Sequence, residues 1–324
     1  MKSYQTNHQE GRYTRVQYHQ TASEKIGQRI DNYLINLLKI PKSRIYTLLR
    51  KGSIRVNKKR IQPNYRLLEN DNIRIPPFFN QLASSKNTVI PEYRKAGLLD
   101  QILYEDDQLI VLNKPSGFAV HGGSGLNYGV IEALRKARPT ERSLELVHRL
   151  DKATSGCLMI SKRQAVLRYL HEQLREKKIV KTYLALLKGQ LTENKVIELP
   201  LKKNQLNSGE RIVRVSPEAG QVAKTLFRPK QHFEQATLVL AQPVTGRTHQ
   251  IRVHANSMGH PIAGDPKYGC TNFNLMLHKK GLNRLFLHAH TLEFYLPSQK
   301  KPVFIEAPLS EALSSFITSF SVDR

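Results

Sequence analysis

A single carboxylate among cations lies in residues 147–156, which read V-H-R-L-D-K-A-T-S-G. Asp151 comes two residues after Arg149 and three after His148, and a turn-forming Thr-Ser-Gly follows it. The flanking apolar segments predict a loop between two short strands. A carboxylate held in this way can act as a nucleophile, but an Asp here can also satisfy backbone donors in an Asx-turn. The local residues alone favour that structural role.

A second polar stretch spans residues 243–265 and reads P-V-T-G-R-T-H-Q-I-R-V-H-A-N-S-M-G-H-P-I-A-G-D. Its histidines are His249, His254 and His260. Their spacing does not fit a helical H-x-x-x-H metal site, and Arg247 and Arg252 would repel a divalent cation. We therefore expect no metal here. The two arginines instead suit contact with a carboxylate or with phosphates.

Two other segments carry weaker signals. Tyr183 lies in V-K-T-Y-L-A-L-L-K-G, which predicts a strand in which a tyrosine ordinarily packs against its neighbours. H-G-G-S-G begins at His121, but the chain has neither the G-x-S-x-G elbow of an esterase nor the G-K-[ST] of a P-loop. Both a loop that approaches an RNA phosphate and a simple connection fit this glycine-rich segment.

The composition of the chain limits its partners. The 324 residues include 51 Lys and Arg against 26 Asp and Glu, a formal charge of +25. An excess of this size favours a polyanionic partner, with nucleic acid as the first candidate. No signal-peptide core and no apolar run near the roughly 18 residues of a membrane span is visible. The two cysteines form no C-x-x-C pair. We expect a soluble, cytoplasmic protein without a membrane partner.

The elements that position these residues predict an α+β chain with two domains. We expect a polar tail over residues 1–23, a small domain over 24–77, a linker over 78–97 and a larger domain over 98–324. In the small domain, apolar spacing predicts one helix that ends before Pro41 and a second with Ser43 as N-cap and Gly52 as its stop. In the larger domain, many β segments without regular βαβ alternation favour a mixed, mainly antiparallel sheet.

The small domain also carries a dense basic segment. Residues 39–66 contain ten basic side chains and no acidic one. A solvated surface would explain them, but nothing nearby neutralises the charge, so we favour contact with RNA phosphates. The predicted RNA contacts in this segment are Lys42, Arg44, Arg50, Lys51, Lys58, Lys59 and Arg60.

Five motifs, taken in order, resemble those of the RluA family of pseudouridine synthases. They are N-K-P-S-G-F-A-V-H-G-G at 113–123, H-R-L-D-K-A-T-S-G at 148–156, K-T-Y-L-A-L-L-K-G at 181–189, T-G-R-T-H-Q-I-R-V-H at 245–254 and R-L-F-L-H-A at 284–289. L-H-E-Q-L-R-E-K and S-G-E-R-I-V-R-V resemble the ribosomal large subunit pseudouridine synthase C group of that family. Ala153 departs from the acidic residue that many members carry there.

The small domain resembles an S4 RNA-binding domain. The likeness rests on R-I-D-N-Y-L and on P-K-S-R-I-Y-T-L-L-R-K-G-S-I-R-V-N. Together the two resemblances imply a small S4-like domain and a larger pseudouridine synthase domain, with helices around a central, mainly antiparallel sheet. They imply structured RNA as the partner.

The resemblance also implies a reaction and a set of roles. A pseudouridine synthase breaks the C1′–N1 bond of a uridine, rotates the uracil and rejoins it through C5, without a cofactor or metal. Asp151 corresponds to the family nucleophile, which can attack or act as a base at the sugar. Arg252 would keep it ionised, and Tyr183 would stack on the base; we expect strands to supply both. Arg149 would fill the space that the flipped nucleotide leaves.

The remaining expectations concern RNA contacts, substrate and alternatives. His148, Arg247 and His121 are further predicted RNA contacts. Large-subunit (23S) ribosomal RNA is the expected substrate, transfer RNA is the alternative, and we expect a monomer. A non-catalytic S4-type RNA-binding or ribosome-assembly protein would explain the charge but not the motifs around Asp151. A hydrolase would need a second carboxylate or a nucleophile elbow near Asp151, and the sequence indicates neither.

Overall fold

The chain divides into two compact units, Met1–Val89 and Ile90–Arg324. The structure, a computed structural model, describes residues 12–13, 16–38, 40, 42–79, 97–122, 128–141, 143–205 and 211–322. The predicted linker at 78–97 lies mostly outside these residues, and the predicted domain boundaries stay predictions. In the described parts of the chain, no helix combines the length and apolarity needed to cross a lipid bilayer.

The first unit is built from two helices and short strands. Helices α1 (Ile30–Leu38) and α2 (Lys42–Arg50) bury Ile30, Leu34 and Ile45, as the apolar spacing predicts. Strands β2 (Gln17–Gln20), β3 (Arg55–Val56) and β4 (Asn72–Ile75) form a sheet in the order β2-β4-β3. A two-stranded pair joins β1 (Arg12–Tyr13) to β5 (Phe78–Phe79).

The ends of α2 test the predicted helix signals. Gly52 follows the helix with a positive φ of 69°, which suits a residue without Cβ, so the predicted stop is confirmed. The predicted N-cap is wrong because the helix already begins at Lys42, which places Ser43 in its first turn.

The second unit is organised by a ten-stranded sheet in the order β11-β14-β15-β10-β16-β9-β7-β6, with β17 paired to β16 and β8 to β9. Its strands are β6 (Ile102–Glu105), β7 (Leu109–Lys114), β8 (Glu145–Leu146), β9 (Ser155–Ser161), β10 (Val180–Lys188), β11 (Lys195–Ile197), β14 (Thr225–Phe233), β15 (Ala236–Pro243), β16 (Leu287–Phe294) and β17 (Val303–Glu306). Strands β12 (Leu201–Gln205) and β13 (Arg211–Val215) form a separate hairpin. Among the described strands, all pairings are antiparallel except that of β9 with β16.

Helices and apolar side chains cover this sheet. The helices are α3 (Val130–Ala137), α4 (Gln164–Arg175), α5 (Gln250–Ser257), α6 (Thr271–Lys279) and α7 (Glu311–Val322). Every residue of β9 is buried, as are the six residues 182–187 of β10, so the sheet centre lies within the main core. The predicted α+β class, with a mixed, mainly antiparallel sheet in the larger domain, is confirmed.

Candidate active site

The three predicted catalytic residues meet in one cleft of the second unit. The cleft has a volume of about 540 Å³ and is lined by Asp151, Tyr183 and Arg252. Asp151 lies on the loop between β8 and β9, as predicted, and Tyr183 lies on β10. Arg252 lies on helix α5, so the expectation that a strand supplies it is wrong.

The loop that carries Asp151 is closed by a tight turn and a close strand contact. The Thr154 amide donates to the Asp151 carbonyl over 3.1 Å. Gly156 then pairs with Ala289 of β16 at a positive φ of 105°. A Cβ at Gly156 would lie 2.2 Å from the Ala289 carbonyl oxygen, so only glycine allows this approach. The turn-forming residues and the partly exposed Asp151 carboxylate therefore belong to one loop.

A buried lysine holds the N-K-P-S-G segment against this loop. Lys114, which is fully buried, donates from Nζ to the carbonyls of Pro115, Phe118 and Lys152 at 2.9, 2.8 and 3.3 Å. The Gly117 amide also donates to the Lys152 carbonyl at 2.8 Å. Burial, and then the charge of Arg284, lower the pKa of Lys114 to about 7. Lys114 thus stabilises the backbone directly after Asp151.

Arg252 stands between two carboxylates at different distances. Its Nε and Nη2 donate to the two oxygens of Asp265 at 2.7 Å each, and both side chains are almost completely buried. Its Nη1 lies 3.6 Å from Oδ2 of Asp151, whose side chain is 20% exposed. Asp265 fixes the guanidinium, and the remaining nitrogen is directed at the carboxylate in the cleft.

His249 and Tyr268 complete the surroundings of Asp151. The Nε2 atom of His249 lies 3.7 Å from Oδ2 of Asp151. Its Nδ1 is 2.8 Å from the Tyr268 hydroxyl, and the Arg252 guanidinium lies 5.0 Å from the centre of the Tyr268 ring. Burial lowers the pKa of His249.

Tyr183 presents a protonated phenol to the cleft. Its side chain is only 9% exposed, and burial, with a smaller contribution from the Asp151 charge, raises its pKa above the usual value near 10. A backbone irregularity between Thr182 and Tyr183 interrupts the pairing of β10 with β16. Tyr183 can therefore donate a proton or stack on a base, but it does not ionise near neutral pH.

Comparisons with known proteins show the family of this chain. Residues 108–257 match the family described as RNA pseudouridylate synthase, and residues 28–73 match the S4 domain. Ribosomal large subunit pseudouridine synthase C of Haemophilus ducreyi is 50% identical over 312 residues, covering 95% of this chain and 97% of the relative. The protein of the same name from Escherichia coli strain K12 is 55% identical over 296 residues, covering 90% and 92%. The chain belongs to the RNA pseudouridine synthase family.

The fold of a solved family structure is similar as well. Human RNA pseudouridylate synthase domain containing 4 is 26% identical, with a TM-score of 0.58 over 70% of this chain and 95% of the human chain. The family recognised from the motifs is confirmed, and so is the enzyme class, an isomerase that acts on RNA.

The predicted RNA contacts of this synthase fall into three places. Arg149, His148 and Arg247 line the cleft. His148 accepts the Met159 amide at Nε2 over 3.1 Å, so part of its ring already serves the fold. His121 is exposed and lies outside the cleft lining.

In the S4 unit, the predicted RNA contacts whose side chains the structure describes are all exposed. They are Arg44, Arg50, Lys51, Lys58, Lys59 and Arg60. Arg50 and Arg60 line a second cleft together with Arg29. The side chain of Lys42 lies outside the described residues.

Several functional neighbours were not predicted from the sequence. Four of them are important only through their tertiary contacts: Lys114, His249, Asp265 and Tyr268. A fifth, Lys181, lines the cleft, and burial lowers its pKa. The expectation of no second carboxylate near Asp151 is wrong because Asp265 shares Arg252 with it. Asp265 also accepts amides of residues 267 and 268 and is 1% exposed, so it is not available for hydrolytic acid–base catalysis.

The histidines of residues 243–265 are held by other groups. His254 contacts Thr225 and the Leu199 carbonyl at 2.9 and 3.0 Å, and His260 contacts the Lys188 carbonyl at 2.8 Å. Among the described residues, no group of three His, Cys, Asp or Glu side chains is placed to bind a metal ion.

Proposed function

We propose that this synthase converts uridines of large-subunit ribosomal RNA to pseudouridine, with Asp151 as its nucleophile. The substrate proposal is supported by the names of the relatives, which cover nearly the whole chain at 50 and 55% identity. The nucleophile proposal is supported by the placement of Asp151 in the cleft and by its position in the family motif.

The observation that carries the proposal is the pairing of Asp151 with Arg252. The carboxylate is partly exposed, so a substrate can reach it, while Nη1 of a buried arginine lies 3.6 Å from Oδ2. A cation at this distance favours the ionised, nucleophilic form of a carboxylate. Because Asp265 binds the other nitrogens of Arg252, the cation cannot easily turn toward an RNA phosphate.

The cleft supplies groups for the remaining steps. The target uridine must leave the RNA stack, at a cost of a few kcal/mol, before Asp151 can reach it. Arg149, which is exposed at the cleft, would occupy the vacated space. Tyr183 then stacks on the uracil while the C1′–N1 bond breaks and the C1′–C5 bond forms. The C5 proton is lost and N1 gains a proton, so the product is an isomer of the substrate.

The decisive experiment replaces Asp151 by Asn. We expect single-turnover conversion of a 23S ribosomal RNA transcript, measured as carbodiimide adducts of pseudouridine, to fall at least about a thousandfold. RNA affinity should stay near the wild-type value because Asn keeps the shape of the side chain. The control is Asp107→Asn, a carboxylate that is 62% exposed and paired with Arg163. Retained turnover in the Asp151 variant would refute the nucleophile.

The substrate is tested separately. Pseudouridines are mapped across total RNA from cells with and without the protein. Positions that disappear from large-subunit ribosomal RNA alone support the proposal, and positions that disappear from transfer RNA overturn the substrate assignment. Unchanged RNA would favour a non-catalytic binding protein, and release of free uracil from the transcript would favour a glycosidase.

A further inference from the structure

Two side chains approach the same oxygen of the proposed nucleophile. Arg252 Nη1 and His249 Nε2 lie 3.6 and 3.7 Å from Oδ2 of Asp151. Both distances are slightly beyond hydrogen-bond range, but contacts of this kind are often long in free enzymes and shorten in the substrate complex. Oδ2 of Asp151 thus faces nitrogen atoms of two different side chains.

A hydrogen-bond chain sets the tautomer of His249. The Val213 amide, which can only donate, bonds to the Tyr268 hydroxyl at 2.9 Å. The Tyr268 hydroxyl can then donate to Nδ1 of His249, 2.8 Å away. With Nδ1 as the acceptor, a neutral ring carries its proton on Nε2, the atom that faces Asp151.

The charges around His249 are balanced and support the neutral ring. Asp151 and Asp265 favour the imidazolium, whereas Arg252 and Lys267 oppose it, and the larger effect of burial lowers the pKa of His249. The His249 side chain is 13% exposed, and its ring stands edge-on to the Tyr268 ring. At neutral pH, His249 can therefore donate from Nε2 without adding a second full charge beside Asp151.

The backbone of His249 lies in the left-handed region. It precedes helix α5 with a φ of 53° and a ψ of 18°, a conformation in which Asn, Asp and His are the enriched non-glycine residues. A purely structural role at this position would be filled at least as well by asparagine.

We propose that His249 is a positioning residue that donates from Nε2 to Oδ2 of Asp151 and, with Arg252, orients the carboxylate for its reaction. This inference rests on the proposed role of Asp151 and assigns the orientation of that carboxylate to a neighbouring side chain. Tyr268 acts one step further away by holding the ring.

Two matched variants separate positioning from structure. In His249→Gln, the amide nitrogen is as many bonds from Cα as Nε2, so it can still reach Asp151. In His249→Asn, the amide matches Nδ1 and can contact Tyr268 but not Asp151. Asn suits the left-handed backbone better, so stability and rate should respond in opposite ways to the two changes.

The measurement is single-turnover conversion of the 23S transcript at saturating enzyme, with RNA affinity and melting temperature measured on the same proteins. We expect the rate to fall about ten- to a hundredfold in His249→Asn and to stay within about fivefold of wild type in His249→Gln. Affinity should change less than about threefold in both. The Asn variant should melt at or above the temperature of the Gln variant.

A rate for His249→Asn equal to or above that of His249→Gln would overturn the inference, and so would a loss confined to RNA affinity. Asp151→Asn distinguishes this failure from failure of the proposed nucleophile. If Asp151→Asn is inactive while both His249 variants convert RNA like wild type, only the positioning role is wrong. If Asp151→Asn retains turnover, the nucleophile itself is wrong.

Discussion

Arginines of the S4 unit and of the cleft have the same chemistry and opposite environments. Arg44, Arg50 and Arg60 are exposed on the first unit. Arg252 is 5% exposed, bonded to both oxygens of Asp265 and placed over an aromatic ring. An exposed cation contributes to RNA binding by releasing counterions, whatever its exact geometry. A buried, bidentate cation has one orientation, which is what a reacting carboxylate needs.

The contrast predicts which residues control rate and which control affinity. Removing charge from the S4 surface should weaken binding to RNA in proportion to the phosphates lost. Changing the geometry in the cleft should slow the reaction even when the net charge is unchanged.

Among the variants that test this contrast, the largest effect is expected for Arg252→Lys. The charge is kept, but an ammonium cannot bond to Asp265 in the same two-pronged way while facing Asp151. We expect kcat to fall at least about a hundredfold and the dissociation constant for the 23S transcript to change less than about threefold. Single-turnover rates and binding titrations measure the two. If kcat and RNA affinity fell by the same factor, Arg252 would be a phosphate contact and not a residue that determines the rate. The control is Arg228→Lys, at an exposed arginine of β14.

A smaller and different effect is expected from the triple variant Lys58→Ala, Lys59→Ala and Arg60→Ala. Affinity should fall, and the slope of log affinity against log salt should become shallower by up to about two, since each phosphate contact contributes roughly 0.7 to 0.9. The control removes the same charge at exposed Lys279, Lys300 and Lys301. If both triples change the slope equally, the S4 surface has no special role in RNA binding.

The smallest effect on catalysis is expected for Lys114→Met, which acts mainly on stability. The variant leaves three carbonyls without their donor, so we expect a loss of about 2–3 kcal/mol in the free energy of unfolding and a rate within about tenfold of wild type. Urea unfolding and single-turnover kinetics measure these. A rate loss as large as that of Arg252→Lys would place Lys114 among the groups that determine the rate.

The pH dependence of stability gives an independent check on Lys114. Its pKa is about 7 in the folded protein, below the ordinary lysine value, so the unfolded chain binds more protons between those two pKa values. The contribution of this group to stability is therefore fully present above the ordinary lysine pKa and is lost as the pH falls from that value to about 7. The difference between wild type and Lys114→Met should show this slope; a difference independent of pH would contradict it.

The sequence predicted the elements better than the arrangement of side chains around Asp151. The helices at Ile30 and Ile45 have one apolar face, so their spacing identifies them. Helix α5 buries six of its eight residues, including Gln250, Arg252 and His254, so it has no polar face to reveal its period. This is why Arg252 was expected on a strand.

The residues that hold Arg252 and His249 in place could not be predicted from the sequence for a related reason. Asp265 follows a glycine in a segment without a recognisable pattern, and its role depends on a bidentate contact across thirteen residues. The link between His249 and Tyr268 depends on a left-handed residue that is itself neither glycine nor asparagine. Motifs could identify Asp151, Tyr183 and Arg252 as a set, whereas the network that orients them forms only in the folded chain.

The parallel contact of β9 with β16 has a consequence for biosynthesis. It joins Ser155 and Gly156 to His288 and Ala289, more than 130 residues later in the chain. Domains generally fold as they leave the ribosome, amino-terminal first, and distant pairings form late. We therefore expect a nascent chain to expose its basic unit before β16 can pair with the strand that follows the Asp151 loop. A chain that ends before β16 should then bind RNA without converting its uridines.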